Sequence, residues 1–343
     1  MSLANRWLES VYRPSLARTP WLWPLLPLST LFAALVKRRG RAYAMGKKSV
    51  WRAPVSVIVV GNITLGGTGK SPLVGRLVTL LRQQGYHPGI VTRGYGGKAR
   101  SYPLIVEAST PVAESGDEPA MLWRQTQAPV AADPDRPRGV RALIERGCDI
   151  IVSDDGLQHL ALGRDIELLV VDGARGLGNR RCLPAGPLRE PASRLESVDA
   201  VIVNGVSNTP LATDAVPMTL TPARWRNVAS GEPAPLSPLP FALPVHAVAG
   251  IGNPARFFET LESLGVDGQM HALADHQALD PKALSFSPPG PLLMTAKDAV
   301  KCQHFAPPNS WALEVEAELP EAFERWLLDK LATLETPQPP THR

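Results

Sequence analysis

Cysteine is nearly missing from the 343 residues: Cys148, Cys182 and Cys302 are far apart and odd in number. That excludes a disulfide framework and a zinc site built on paired thiolates, and it fits a reducing, cytosolic compartment. The apolar run at residues 20–36 falls short of the roughly 20 residues that a spanning helix needs, and Pro20, Pro24 and Pro27 break it. The polybasic Lys37-Arg38-Arg39 directly after it argues against a cleaved signal peptide. No internal repeat of fixed period is visible. Acids are almost absent from residues 1–52, where Glu9 alone faces ten lysines and arginines.

That last shortage leaves +9 at the N-terminus and −5 on the rest of a chain whose net charge is +4. A basic end on an acidic body points to an anionic surface as partner. The aromatic residues sit inside the apolar run and do not alternate with the cations as a base-stacking groove requires, so nucleic acid is not expected. An interfacial anchor is: Trp21, Trp23, Leu25, Leu26 and Phe32 would enter the acyl boundary while the Lys/Arg cluster meets anionic headgroups. A helix packed on the protein's own core is the competing reading, and a single N-terminal span the more distant one. The composition, 44% hydrophobic and 20% charged, describes a globular chain; its 35 prolines predict many loops.

The segment from Val55 to Pro72 has the layout of a phosphate-binding loop. An apolar run, Val57 to Val60, feeds a glycine-rich turn, Thr64-Leu65-Gly66-Gly67-Thr68-Gly69, that delivers Lys70-Ser71 into a helix. Backbone N–H groups freed by glycines form a nest for phosphate oxygens, the lysine reaches the β- and γ-phosphates, and the hydroxyl binds Mg²⁺. The position five before Gly69 is Thr64, where the general pattern has glycine. Downstream, helical and strand patterns alternate. Strands are predicted at 87–92, 129–132, 149–153, 166–171, 200–203 and 245–249, and helices at 73–84, 118–125, 138–146, 255–264 and 318–334. This predicts an α/β fold: a P-loop NTPase-like, mostly parallel sheet with helices on both faces, a second, smaller α/β unit, and an N-terminal membrane-associating helix. The expected division is 1–50 for that segment, 51–215 for the P-loop core and 216–343 for the smaller unit and C-terminal helix. Residues 206–243 read as a connector and the tail 336–343 as disordered.

Asp154 and Asp155 end an apolar strand, where a P-loop enzyme places its Mg²⁺-organising carboxylate. Arg93 ends a neighbouring strand; a phosphate clamp and a solvated loop arginine are both compatible with that place. Asp117 and Glu118 open a helix, where acids also serve simply to complement the helix dipole. Pro184 to Glu190 is a rigid loop ending in paired charges, a substrate clamp or a surface turn. His276 is one of seven histidines, and nothing in its spacing marks it.

In this order the motifs resemble the tetraacyldisaccharide 4′-kinase family of lipid A synthesis. The resemblance rests on Pro27-Leu-Ser29, Arg38-Arg39, Gly61-Asn62, Gly66 to Pro72, Arg93 to Gly96, Gly116 to Pro119, Asp154 to His159, Leu183 to Glu190, Gly250 to Pro254, Asp275-His276 and Thr295-x-Lys297-Asp298. It implies transfer of the ATP γ-phosphoryl to the 4′-hydroxyl of a tetraacylated glucosamine disaccharide 1-phosphate, at the cytoplasmic face of the bacterial inner membrane. The family also lacks the first glycine, so Thr64 fits; Ser71 stands where many relatives have threonine. It further implies Asp117 as catalytic base, His276 as the residue that orients it, Lys70 on the phosphates, and Ser71, Asp155, Glu190 and Asp154 around Mg²⁺. Arg93, Glu118, His159 and Arg189 are expected to contact substrate or phosphate. A P-loop GTPase or ATPase acting as a switch or metallochaperone is the alternative. Leu65 stands where that loop variant begins with lysine, and the N-K-x-D tetrad is missing.

Overall fold

The structure, a computed structural model, describes residues 7, 8, 10–12, 19–207, 211, 214–273 and 279–335. Asp275, His276 and the 336–343 tail lie outside the described residues.

Strand β1 (Ser56–Gly61) is the centre of the half that carries the glycine-rich loop. It pairs in parallel with β5 (Ile150–Asp154) on one side and β6 (Ile166–Asp172) on the other. Beyond β5 lie β2 (Pro88–Thr92), β4 (Val130–Ala132) and the antiparallel edge strand β3 (Leu104–Val106); beyond β6 lies β7 (Ala200–Asn204). A strand covered on both faces should be apolar at every position. Accordingly Ile58 and Val60 enter one core layer, Val57 and Val59 the other. The first layer is roofed by α2 (Lys70–Gln83) through Leu73, Leu77 and Leu81, and by α8 (Glu321–Glu335) through Phe323, Leu327 and Leu331. Arg76 of α2 donates its Nε–H to Glu324 of α8 at 2.7 Å. The opposite layer receives Val140 and Leu143 of α5 (Arg136–Ile144).

The connector expected at 206–243 needs correcting. It contains β8 (Val216–Asn227), the longest strand described, and the short β9 (Pro233–Ala234) paired to it. Pro217 and Pro222 hid β8 in the sequence, because proline removes a ladder donor and argues against a central strand. Pro222 is tolerated beside a β-bulge: Arg224 pairs with Glu314 and Pro222 with Val315, leaving Ala223 as the extra residue. The first residues of β8 pair in parallel with β7, and the rest runs antiparallel to β13 (Ser310–Glu318). One thirteen-stranded sheet therefore continues through β13 into β12 (Leu292–Thr295), β10 (Val245–Ala249) and β11 (Gly268–Ala272). Strands β3, β11 and β13 were likewise not foreseen. The far half has its own core, where Trp225 meets Phe241 edge to face at 4.9 Å beside Phe257 and Leu261 of α6 (Pro254–Ser263).

At the N-terminus a 3-10 helix, Pro20–Leu25, leads into α1 (Leu26–Ala44). Leu22 and Ser29 are buried, and the Ser29 hydroxyl donates to the Cys182 carbonyl. The other side of the segment leaves Trp21, Trp23, Leu28, Leu31 and Leu35 about half exposed. Among the described residues no helix is long and apolar enough to cross a membrane.

Candidate active site

The loop after β1 lies at the carboxyl edge of the parallel strands, where β1 separates β5 from β6 and the sheet order switches direction. Gly66 and Gly69 adopt φ of +82° and +91°, a conformation that L side chains resist. At Gly69 a Cβ would also stand 2.5 Å from the Asn204 amide nitrogen. Asn204, at the end of β7, donates to the Thr68 carbonyl at 3.1 Å and accepts from Arg256 of α6 at 3.0 Å. The 184–190 loop runs alongside. Leu65 N–H donates to the Pro187 carbonyl (3.0 Å) and Arg189 N–H to the Ile63 carbonyl (2.7 Å).

Lys70, first residue of α2, places Nζ 3.5 Å from Asp155 Oδ1, while Arg189 reaches the other oxygen at 3.0 Å. Burial alone would raise the Asp155 carboxyl, but these two cations outweigh it and hold it below the usual carboxylate range. Asp154 is the opposite case. It is 1% exposed, and neither carboxylate oxygen has a hydrogen-bond partner. Burial, reinforced by Glu118, pushes it up to about 7. A buried carboxylate without donors is costly unless a cation completes it. Its position, paired to Val60 one residue before the end of β1, suits Mg²⁺. Among the described residues no group of three or more His, Cys, Asp or Glu could hold a metal. Mg²⁺ in phosphoryl-transfer sites needs no such cage, because one or two carboxylates, substrate phosphates and water complete its shell.

The remaining foreseen residues fall around this edge. Glu190 is held by Gln158 (2.6 Å) and Arg194 (3.4 Å), and Gln158 also donates to the Asn62 carbonyl. His159 Nε2 is buried with no hydrogen-bond partner, and burial next to Arg136 and Arg164 lowers the ring to about 4, so it is neutral at pH 7. Arg93 is exposed at the end of β2. Asp117 and Glu118 open α4 (Asp117–Thr126), which follows the one-turn α3 (Val112–Ser115) and Gly116. They face α7 (Ala296–Cys302), with Glu118 3.2 Å from Lys297 and Asp117 3.8 Å from Lys301.

Three participants had no sequence signal strong enough to find them. Arg136 is buried; it donates to the Ser153 hydroxyl and, at 2.9 Å, to the Asp155 carbonyl, and burial lowers it to about 10. It backs both aspartates with positive charge. Arg175 donates to the Gly67 carbonyl and lies over the Tyr12 ring, 5.2 Å from its centroid. The Tyr12 hydroxyl donates to the Leu65 carbonyl. The N-terminal segment thus braces the phosphate loop from outside.

A glycine nest, a lysine and a hydroxyl at a helix start, a donor-free carboxylate and a second acid pair whose Glu118 acts on that carboxylate suit phosphoryl transfer. The sequence pattern of LpxK, tetraacyldisaccharide-1-P 4′-kinase, matches residues 21–332. The chain belongs to the LpxK family. The tetraacyldisaccharide 4′-kinase of Azotobacter vinelandii is 48% identical to it over 335 residues, covering 97% of this chain and 99% of that one. That of Pseudomonas aeruginosa is 47% identical over the same share. A crystal structure of LpxK from Aquifex aeolicus in complex with ATP superposes with a TM-score of 0.76 at 27% identity. It covers 91% of this chain and 99% of that chain. The mostly parallel α/β architecture is therefore the LpxK architecture.

Proposed function

We propose that this LpxK-family chain transfers the γ-phosphoryl group of ATP to the 4′-hydroxyl of a tetraacylated glucosamine disaccharide 1-phosphate, giving the 4′-phosphorylated lipid A precursor. The observation that carries the reading is the donor-free Asp154 carboxylate within the field of Lys70, at the edge that Glu118 also faces. The 66–69 backbone and Lys70 would hold the triphosphate, with Arg93 and Arg189 as further phosphate contacts. Ser71 and Asp154, with Asp155 and Glu190 alongside, would hold Mg²⁺, which when bound supplies positive charge for the phosphate oxygens. The acceptor oxygen forms a bond to the γ-phosphorus as the bond to the β–γ bridging oxygen breaks. Its proton passes to Asp117, the general base, with His276 as the residue expected to orient it. Glu118 and His159 line the acceptor side.

The exposed indoles and leucines of the 3-10 helix and α1, next to Lys37, Arg38, Arg39 and Arg41, support docking at an anionic membrane surface. On a lipid A precursor that surface is the cytoplasmic face of the inner membrane, approached as a peripheral or monotopic protein. The test is incubation with Mg²⁺-ATP and the tetraacyl disaccharide 1-phosphate, followed by detection of the 4′-phosphorylated lipid. Release of free phosphate without a lipid product would favour a nucleotide switch instead. Full product yield from Asp117→Ala would remove the base assignment.

A further inference from the structure

The packing of α7 against the start of α4 carries an inference that rests on reading Asp117 as the base. Lys297 and Lys301 are one helical turn apart, so their side chains leave α7 on one face. They meet two adjacent acids: Lys297 Nζ is 3.2 Å from Glu118 and Lys301 Nζ is 3.8 Å from Asp117. Beneath these pairs Val300 packs with Ala120 and Met121 in an apolar seam. The Lys301 side chain is only 7% exposed, so its ammonium needs fixed partners. Asp298 supplies one, accepting from Lys301 at 2.9 Å. Its other oxygen accepts from Gly250 N–H (2.9 Å) and the Thr295 hydroxyl (2.7 Å). Asp298 is fully buried and thereby anchors Lys301 to the ends of β10 and β12.

Charge explains why Asp117 needs such a partner. Glu118, next to Asp117 in the chain, already acts on Asp154, so Asp117 opens α4 in acidic company, and like charges repel. A cation anchored on the opposite unit restrains Asp117 from the far side. Lys301 sits closer to Asp298 than to Asp117, so Asp298 fixes the ammonium and the ammonium in turn restrains the base.

We propose that Lys301, anchored by Asp298, is a positioning residue for phosphoryl transfer: it holds the Asp117 carboxylate, while Lys297 holds Glu118, in the pose that accepts the acceptor's proton. The experiment compares full-length wild type with Lys301→Met and Lys301→Arg, each also in an Asp117→Asn background, measuring kcat, KM for ATP and thermal melting. The expected result for Lys301→Met is a kcat lower by about tenfold or more, the scale of an ill-placed base, with KM for ATP within about twofold. Arginine should recover a substantial part of kcat. In the Asp117→Asn background the same change should cost less than about threefold, because the two residues act as a unit. A kcat for Lys301→Met near wild type overturns the proposal, as does an equal fractional loss in both backgrounds. If Lys301→Met does not fold, Lys301→Gln, which keeps an N–H for Asp298, is judged by the same criteria. Wild-type turnover in Asp117→Asn alone would instead overturn the base reading itself.

Discussion

Replacing Trp21 and Trp23 together with serine should detach the protein from membranes without disturbing its fold. The two rings are 50% and 55% exposed, whereas Leu22 between them is fully buried and keeps the segment in place. A half-exposed indole side chain offers about 100 Å². At about 25 cal/mol per Å², complete transfer to hydrocarbon would contribute roughly 2.5 kcal/mol per ring. Indoles settle at the headgroup level with the N–H still hydrated, so about half of that is realised, or ~2–3 kcal/mol for the pair. Partitioning should therefore weaken roughly 30- to 150-fold. The assay is co-sedimentation with vesicles of mixed anionic and zwitterionic lipid, with melting curves as the control. Neutralising Arg38 and Arg39 should weaken binding to anionic vesicles only, by about 1 kcal/mol each, and high salt should mimic that loss. If the double serine variant partitions within about threefold of wild type, the exposed stripe does not face lipid and the anchoring argument fails.

Three further outcomes follow from the geometry. Gly116→Ala should cost about 1–3 kcal/mol of stability and depress turnover while sparing ATP affinity. Gly116 sits at φ +88° and a Cβ there would lie 2.4 Å from the Tyr95 carbonyl, so the start of α4 must shift; turnover equal to wild type would refute this. His159, lowered to about 4 in the fold against about 6.5 unfolded, binds its proton more readily when unfolded. Its contribution to stability should be complete above about pH 6.5 and decline as pH falls towards 4. Denaturant titrations of wild type and His159→Gln should therefore converge in that window; parallel curves would contradict it. The three buried thiols, with Cys148 pushed up to about 11 and Cys302 to about 12, should react with a maleimide near neutral pH far more slowly in native than in unfolded protein. Rapid native labelling would contradict their burial.

What was legible in the sequence is what neighbouring residues encode together. The nest from Gly66 to Ser71 and the acids closing β5 each lie within one strand–turn unit, so their spacing alone predicts their placement. Proline misled at β8, where a bulge accommodates Pro222 without breaking the ladder. Arg136, Arg175 and Lys301 stayed hidden for another reason. Each meets at least one partner far away in the chain, and a lone arginine or lysine carries no mark of the carbonyl or carboxylate it will meet there. The resemblance to the kinase family singled out Thr295-x-Lys297-Asp298 but not what Asp298 does; only the fold shows it fastening Lys301.

The pairing of α8 with α2 bears on how this protein is made. Phe323, Leu327 and Leu331 fill the layer beneath Ile58, Leu73 and Val152, yet a ribosome makes them only after every strand of the sheet. Until then the growing chain carries a phosphate loop over an open, greasy floor, with Leu77 and Leu81 uncovered. Parallel strands awaiting distant partners fold slowly and expose sticky edges meanwhile. A nascent chain stalled before residue 321 should thus need chaperone shelter, and its nucleotide site should mature only once α8 has been made.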